Sequence, residues 1–117
     1  MSFEFALQII AFSEKLDAEK KYVIARQLLK SGTSIGANAM EAQNAESKAD
    51  FIHKFKIASK EGEETHYWLL LCDFSENYPD CKELLQKITE INNVIGKIIS
   101  SSKKKFPFSY FLSLFMF

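Results

Sequence analysis

The sequence predicts an all-α protein folded as an antiparallel, up-down four-helix bundle. Apolar residues recur every three or four positions through most of the 117-residue chain, which is the spacing of amphipathic helices. The chain has only four Gly and two Pro, which favours long helices with short connections over a fold with many turns. Its length is sufficient for one domain with a hydrophobic core and too short for two.

Composition and charge narrow the functional classes. Hydrophobic residues make up 47% of the chain and charged residues 26%, the balance of a globular protein, and the net charge is zero. There is thus no global basic signature of a nucleic-acid binder. Residues 20–60 nevertheless carry eight Lys/Arg and three Asp/Glu, whereas residues 61–90 carry two and eight. This asymmetry fits either an anion-binding face or simply two solvated helix faces.

The beginning of the chain, "MSFEFALQIIAFSEKLD", contains acids and lacks a basic n-region, so it does not resemble a secretory signal. No apolar run reaches the roughly 20 residues that cross a bilayer. We therefore expect a cytoplasmic protein without a membrane span, in which Cys72 and Cys81 are free thiols.

The first helix is predicted from about Phe3 to Lys15, followed by Asp17 as the N-cap of the second helix. The positions of the first helix that follow helical spacing are Phe5, Ala6, Ile9, Phe12, Ser13 and Leu16. Those of the second are Tyr22, Ala25, Leu28, Leu29, Gly32, Ile35, Gly36 and Ala39.

The stretch "SGTSIGANAMEA", residues 31–42, has two interpretations. A glycine-rich phosphate loop would follow a strand and carry the Walker spacing, and both features are missing before and after Gly32. The helical period instead continues through the stretch, which favours one helix of roughly 25 residues. Gly32 and Gly36 then form a flat strip for a close-packed neighbour, and Gly36→Leu is expected to disrupt that packing.

Ser47 is predicted to begin the third helix, because "SKAD" fits a capping box with Asp50 at its fourth position. Steps of four and three residues then define a heptad seam typical of helical bundles. Its members are Phe51, Phe55, Ala58, Gly62, Thr65, Leu69 and Cys72.

The segment "ENYPD" is predicted to break the third helix, with Pro79 as the stop. Asp80 and Glu83 form a second predicted capping box. The apolar stripe of the fourth helix is Leu84, Leu85, Ile88, Ile91, Ile95, Ile98 and Ile99.

We divide the chain into a four-helix bundle, residues 1–102, and a basic-then-aromatic tail, residues 103–117. Three interpretations of the tail remain open. It packs into a groove of its own or a neighbouring subunit, it is disordered or a reading-frame oddity, or its lysines and aromatic residues contact a membrane surface.

A metal centre is the more serious enzymatic alternative, because helical bundles build carboxylate-bridged sites from Glu-x-x-His motifs. Glu63 to His66 has this spacing, and Asp50 to His53 is similar with a shorter acid. Both pairs fall on one helix about 20 Å apart, so they cannot share a centre within one chain. We therefore predict no cofactor, no metal and no catalytic residues, with a metal enzyme as the remote alternative.

The segments "QLLKSGTSIGANAMEA" and "SKADFIHKFKIASKEGEETHYWLLL" resemble the bacterial four-helix-bundle family first described from intervening sequences of 23S ribosomal RNA genes. The chain is also similar to the accessory variability protein of diversity-generating retroelements. The resemblance covers residues from about 20 to 100. Its most specific part combines Ser34, Ile35, Asn38 and Glu41 with Glu64, Thr65 and Tyr67-Trp68-Leu69.

The resemblance implies a bundle that assembles into a homopentameric ring. In the retroelement relatives, the basic surface of the ring binds nucleic acid and a reverse transcriptase. The resemblance carries no catalytic residues. This sequence departs from the pattern in its zero net charge and its aromatic tail.

The sequence thus predicts a non-enzymatic, oligomeric binding or scaffold protein. The second and third helices carry more apolar residues than one inward-facing stripe requires. The additional residues line either a subunit interface or a wider core face, and they are Ile24, Ile57, Trp68 and Leu71. The alternative is binding of RNA or an RNA/DNA intermediate through basic patches on the second and third helices. The residues of these patches are Arg26, Lys30, Lys54, Lys56 and Lys60.

Several small and polar residues are predicted to form a structural motif. Three of them have two interpretations, and they are Asn38, Glu41 and Glu64. They form either a functional site or a hydrogen-bonded contact that fixes the register of the second and third helices, and we favour the contact. The full motif is Gly32, Ser34, Ile35, Gly36, Asn38, Glu41, Gly62, Glu64, Thr65 and Trp68.

Overall fold

A computed structural model describes residues 1–103 and 114–117. These residues contain four long helices and no strand: α1 (Ser2–Ala18), α2 (Tyr22–Ala42), α3 (Lys48–Phe74) and α4 (Lys82–Ser102). Each helix packs antiparallel against the next, and α4 returns to α1. The predicted four-helix bundle is confirmed.

The heptad seam of α3 forms the centre of the core. All seven predicted seam positions, from Phe51 to Cys72, are buried, and they are the only buried residues of this helix. The α4 stripe supplies the facing wall, although Leu85 and Ile99 at its edges are only half-buried. The sequence period therefore predicted the inward face of both helices, because burial on one side of a helix imposes that period.

The predicted N-cap of the second helix is wrong. Asp17 lies in the last turn of α1, and Lys21 occupies the N-cap position of α2. Lys21 N–H donates to Leu16 O (2.9 Å) and Lys20 N–H donates to Asp17 O (2.9 Å), while Lys20 has φ of 65°. Lys20 adopts the left-handed backbone conformation that glycine usually supplies after the end of a helix. The helix α1 therefore ends at Ala18 and not at the predicted Lys15.

The predicted cap of α3 is confirmed, because Asp50 N–H donates to Ser47 Oγ at 3.0 Å. The return bond of the box comes from Glu46 N–H to the Asp50 carboxylate, one residue before the cap. At its other end α3 stops at Phe74, five residues before Pro79. Proline is therefore not the direct stop, and Asn77 turns the chain with φ of 62°.

The predicted cap of α4 is correct in part. The Asp80 carboxylate accepts Lys82 N–H at 3.3 Å, although Cys81 holds the cap position. Glu83 does not close a box among the described contacts but pairs with Lys87, one turn along the helix. An acid at this position also stabilises the positive end of the helix dipole without a reciprocal bond.

The stretch "SGTSIGANAMEA" is helical throughout, which excludes the phosphate-loop interpretation. Gly32 lies directly against α1, because a β-carbon there would lie 2.8 Å from Ile9 Cγ2. Gly36 is less tightly packed, since a β-carbon would lie 3.4 Å from Ser2 Oγ. On the wider stripe, Tyr22 and Leu29 prove exposed, because only one side of α2 faces the core.

Residues 114–117 return to the end of the bundle where α1 begins. Phe115 and Met116 are buried in the core, whereas Leu114 and Phe117 are exposed. This placement agrees with the interpretation of the tail as a packed segment. Residues 104–113, which include most of the tail, lie outside the described residues.

The seam between α1 and α4 is the loosest of the bundle. Two clefts of about 150 and 310 Å³ lie along it, and both are lined by Gln8. The Gln8 carboxamide oxygen is buried and has no hydrogen-bond partner among the described residues. This seam therefore lacks the close packing that small residues give to α2.

Candidate interaction surfaces

The five basic residues predicted to contact nucleic acid do not form one patch. Arg26 and Lys30 are exposed on α2, and Lys56 and Lys60 are exposed on α3. Lys54 Nζ instead lies 3.1 Å from Glu41 Oε1 and is largely covered. Lys54 thus joins α2 to α3 and is the least available of the five for an external anion.

Glu61 lies between two of these cations. Burial and the neighbouring Glu64 raise the pKa of its carboxyl, whereas Lys30 and Lys60 act to lower it. A carboxylate therefore divides the basic side chains of α2 from those of α3, and it weakens the positive potential that an anion would meet there.

The predicted polar contact between α2 and α3 exists, but of its three expected members only Glu41 takes part in it. The buried Thr65 Oγ1 donates to Ser31 Oγ at 2.9 Å, and the second polar link is the Glu41–Lys54 pair. Asn38 donates within its own helix to Ser34 O at 2.8 Å. Two short side chains thus supply the buried interhelical bond, since the helices approach closely here.

Glu64 also bonds within its own helix, where it accepts the indole N–H of Trp68 at 3.4 Å. Trp68 and Ile24 pack partly against the core, Ile57 is half-buried, and Leu71 is exposed. We call these four apolar residues the α2/α3 edge. They lie beside the seam that Ser31 and Thr65 define, three of them part-buried and Leu71 exposed.

A second apolar surface was missed by sequence reasoning. Phe3, Leu7 and Ile10 project from the outer side of α1 and are all exposed. Their spacing of four and three residues places them on one face of the helix, so the signal was present in the sequence. We call this surface the α1 stripe. It lies away from the α2/α3 edge, because α1 and α3 are diagonal in the bundle.

The two cysteines are buried and free. Burial raises the pKa of Cys72 to about 12 and that of Cys81 to about 11. The Cys81 thiol donates to Leu69 O at 3.4 Å, which is a core contact. Since the thiolate is the reactive form, neither residue is poised as a nucleophile.

The described residues contain no group of three His, Cys, Asp or Glu side chains placed to hold a metal ion. His53 and Glu63 are exposed on α3, and His66 is half-buried. No described helix is long and apolar enough to cross a membrane.

A third cleft, of about 400 Å³, lies where α1 ends and α2 begins. It is lined by Ser13, Asp17, Tyr22, Ala25, Arg26 and Leu29. The Ser13 hydroxyl is buried with no partner among the described residues. Arg26 therefore borders a depression rather than a flat basic surface.

Comparison with known proteins shows which family the chain matches. Residues 1–99 match the family model described as 23S rRNA-intervening sequence protein. The chain is also similar to the crystal structure of a protein of unknown function from the S23 ribosomal protein family of Bacteroides thetaiotaomicron VPI-5482. The identity is 46%, the alignment covers 84% of this chain and 94% of that chain, and the TM-score is 0.75. No curated protein matches the chain.

Proposed function

Since the chain belongs to the 23S rRNA-intervening sequence protein family, we propose that it is a self-assembling binding module with no chemistry of its own. The observation that carries this proposal is the presence of two separate apolar surfaces, the α1 stripe and the α2/α3 edge. A monomer gains nothing from exposing Phe3, Leu7 and Ile10 along one helix.

The placement of the two surfaces favours a ring. A closed two-copy interface uses the same patch twice, whereas a ring joins one patch to a different patch on the next copy. The α1 stripe and the α2/α3 edge differ in sequence and lie on different sides of the bundle. The family resemblance adds the number of copies, so the assembly proposed is a homopentamer.

Light scattering coupled to size exclusion tests the assembly. Wild-type protein should elute at close to five times the chain mass of 13.4 kDa. Leu7→Lys and Leu71→Lys should each reduce that mass, because each places a charge in one of the two surfaces. Gln86→Lys, on the exposed side of α4, should leave it unchanged.

A mixture of the two variants gives the decisive result. Leu7→Lys retains an intact α2/α3 edge and Leu71→Lys retains an intact α1 stripe. Head-to-tail contacts therefore allow one two-chain complex in the mixture and no ring. A wild-type monomer would refute the assembly, and a mixture that restored the full ring would refute the head-to-tail pairing.

Nucleic-acid binding is the second candidate, supported by the exposed Lys56 and Lys60 one turn apart on α3. Repetition around a ring would multiply this modest patch, because each neutralised phosphate releases counterions. Arg26 and Lys30 would contribute from the adjacent helix, on the far side of Glu61.

Fluorescence anisotropy with a single-stranded RNA tests this candidate across salt concentrations. Reversing both charges, Lys56→Glu with Lys60→Glu, should weaken binding and reduce the salt slope by about 1.4, at roughly 0.7 for each phosphate contact. Lys97→Glu, exposed on α4, serves as the control. Unchanged affinity in the double variant would exclude this patch, and binding that persists at high salt would exclude the electrostatic mechanism.

Metal analysis of the purified protein tests the proposal that it has no catalytic activity. A stoichiometric transition metal would return the carboxylate-bridged centre at Glu63 and His66 to consideration. The raised pKa values of the two thiols give no support to a cysteine-based reaction.

A further inference from the structure

At the end of the bundle where α1 begins, one corner is left unfilled, because α1 does not extend as far as the neighbouring helices. Ser2, the first residue of α1, lies opposite Gly36 of α2, yet α2 continues to Ala42. At 1.5 Å per residue, α2 extends about 9 Å beyond the start of α1. The helices α2, α3 and α4 therefore share an apolar end that α1 does not reach.

The register of the other helices places Phe55 beside this corner. The Glu41–Lys54 pair aligns the last turn of α2 with the second turn of α3. Phe55, next to Lys54, points inward and has 0% exposed surface. Its position is past the start of α1, so another part of the chain must cover it.

Residues 114–117 occupy the corner. Phe115 packs edge-on against Phe55 with ring centroids 5.7 Å apart, and it is also fully buried. Met116 Sδ lies 3.7 Å from Ser2 Oγ. The ring of Phe117 lies 5.9 Å from that of Phe3, on the solvent side. Two consecutive buried side chains, Phe115 and Met116, are thus flanked by the exposed Leu114 and Phe117.

We propose that this corner is a docking cup for a short aromatic segment, and that residues 114–117 are a reversible plug that fills it from the same chain. The cup is defined by Ser2, Phe3 and Phe55. The plug inserts Phe115 as its anchor and Met116 as the adjacent filler, while Leu114 and Phe117 remain outside. The plug lies outside the family match, which ends at residue 99.

Recognition depends on shape and apolar character. Aromatic rings favour the tilted and edge-on arrangements seen for the Phe55–Phe115 and Phe3–Phe117 pairs. A thioether adapts to an irregular gap and tolerates a nearby hydroxyl such as that of Ser2. The cup therefore accepts the same segment when it is supplied in trans, provided that its own plug has been removed. Phe3 belongs to both the cup and the α1 stripe. The inference rests on the Phe55–Phe115 and Ser2–Met116 contacts, so it stands without the proposed self-assembly.

A peptide experiment tests the cup in the full-length protein. The probe is a fluorescein-labelled peptide of residues 103–117, whose lysines keep it soluble. Full-length Phe115→Ala, with an empty cup, should bind it at least tenfold more tightly than wild type does. Leu114→Ala is the matched control, because Leu114 is 59% exposed. It should bind no better than wild type.

The peptide that carries Phe115→Ala should lose at least tenfold in affinity for the empty cup. Equal binding of both peptides would refute specific recognition. If the folded Phe115→Ala protein and wild type both bind the peptide weakly, the cup is refuted. If both bind it tightly, the plug is refuted, because a filled cup would not accept the peptide.

Cross-linking tests the plug even if Phe115→Ala fails to fold. Cysteines introduced by Phe3→Cys and Phe117→Cys occupy exposed neighbouring positions. A short bismaleimide should join them within one chain, while the buried native thiols stay unmodified. The control pair, Phe74→Cys with Phe117→Cys, lies at opposite ends of the bundle and should give no internal product. Products exclusively between chains, or none from the first pair, would refute a plug held in cis.

Discussion

The two seams that α1 makes with its neighbours are built in opposite ways. Against α2, the branched side chain of Ile9 meets Gly32, and the backbones approach closely. Against α4, large side chains and Gln8 leave clefts of about 150 and 310 Å³. One helix thus has a tight seam on one side and a loose seam on the other.

The difference shows which contact sets the position of α1. A side chain that fits against a glycine permits only one register, because sliding by one residue would bring it against a β-carbon. A seam with open clefts imposes no such constraint. The α1/α2 seam therefore determines where α1 lies, and the α1/α4 seam closes the bundle around it. Substitutions at the two seams should have opposite effects on stability.

The largest effect is expected at Gly32. A β-carbon there would lie within 3 Å of Ile9, which is stiff at χ1 and cannot swing aside. We expect Gly32→Ala to destabilise the fold by about 1–3 kcal/mol, the usual cost of overpacking. Urea denaturation monitored by circular dichroism provides the measurement. Gly32→Leu should prevent stable folding altogether.

Two other glycines serve as controls for this prediction. A β-carbon at Gly36 makes only ordinary contacts with Ser2, and one at Gly96 meets nothing within 4 Å. Gly36→Ala and Gly96→Ala should each stabilise the helix by up to about 1 kcal/mol. If Gly32→Ala stabilised the protein to the same extent, the tight seam would not be the constraint described. Severe disruption by Gly36→Leu stays a prediction from the sequence.

A smaller effect of opposite sign is expected in the loose seam. Gln8→Leu removes a buried carboxamide oxygen that has no partner among the described residues and fills cleft volume with apolar atoms. We expect stabilisation of about 1 kcal/mol, the lower range of the cost of an unsatisfied polar group. Thermal denaturation compared with Gln86→Leu, an exposed control on α4, measures it. Destabilisation by Gln8→Leu would show that the carboxamide has a bound partner.

The smallest effect concerns Glu61, beside the α2/α3 edge. Burial raises its pKa, so the folded state binds this proton more tightly than the unfolded chain does. The resulting stabilisation is complete below the unfolded pKa of about 4.5 and is lost as the pH rises through the folded value. Glu61→Gln should therefore raise Tm at neutral pH relative to wild type.

The pH dependence separates this cause from packing. The advantage of Glu61→Gln over wild type should shrink as the pH falls below about 4.5, since the native carboxyl is then also neutral. Glu63→Gln, at an exposed position of the same helix, provides the comparison. A constant advantage at every pH would identify a packing effect.

The tight seams were largely predictable from the sequence. Gly32 and Gly62 interrupt apolar stripes at core positions, and each lies against a side chain of the adjacent helix, Ile9 or Asn92. The heptad seam of α3 was predicted in full, because its burial on one side produces a regular period. These features depend on spacing within a single helix, which a sequence displays directly.

Features that depend on two segments meeting were less predictable. The end of α1 depends on a left-handed Lys20, a conformation that lysine does not signal. The partners of Asn38 and Glu64 lie within their own helices, and it is Ser31 and Thr65 that make the interhelical bond. The cup around Phe55 arises from unequal helix overhangs, and these appear only when the register of all the helices is known.

The contact between Ser2 and Met116 also bears on the order of folding, because 114 positions separate these residues in the chain. The helix pairs meet through short connections, and such low-contact-order bundles fold in microseconds to milliseconds. Seating residue 116 closes a loop almost as long as the protein, which carries the largest entropic cost of any described contact. The plug should therefore dock after the four helices have assembled and detach before they separate. Native-state hydrogen exchange would detect this sub-global opening as low protection at Met116.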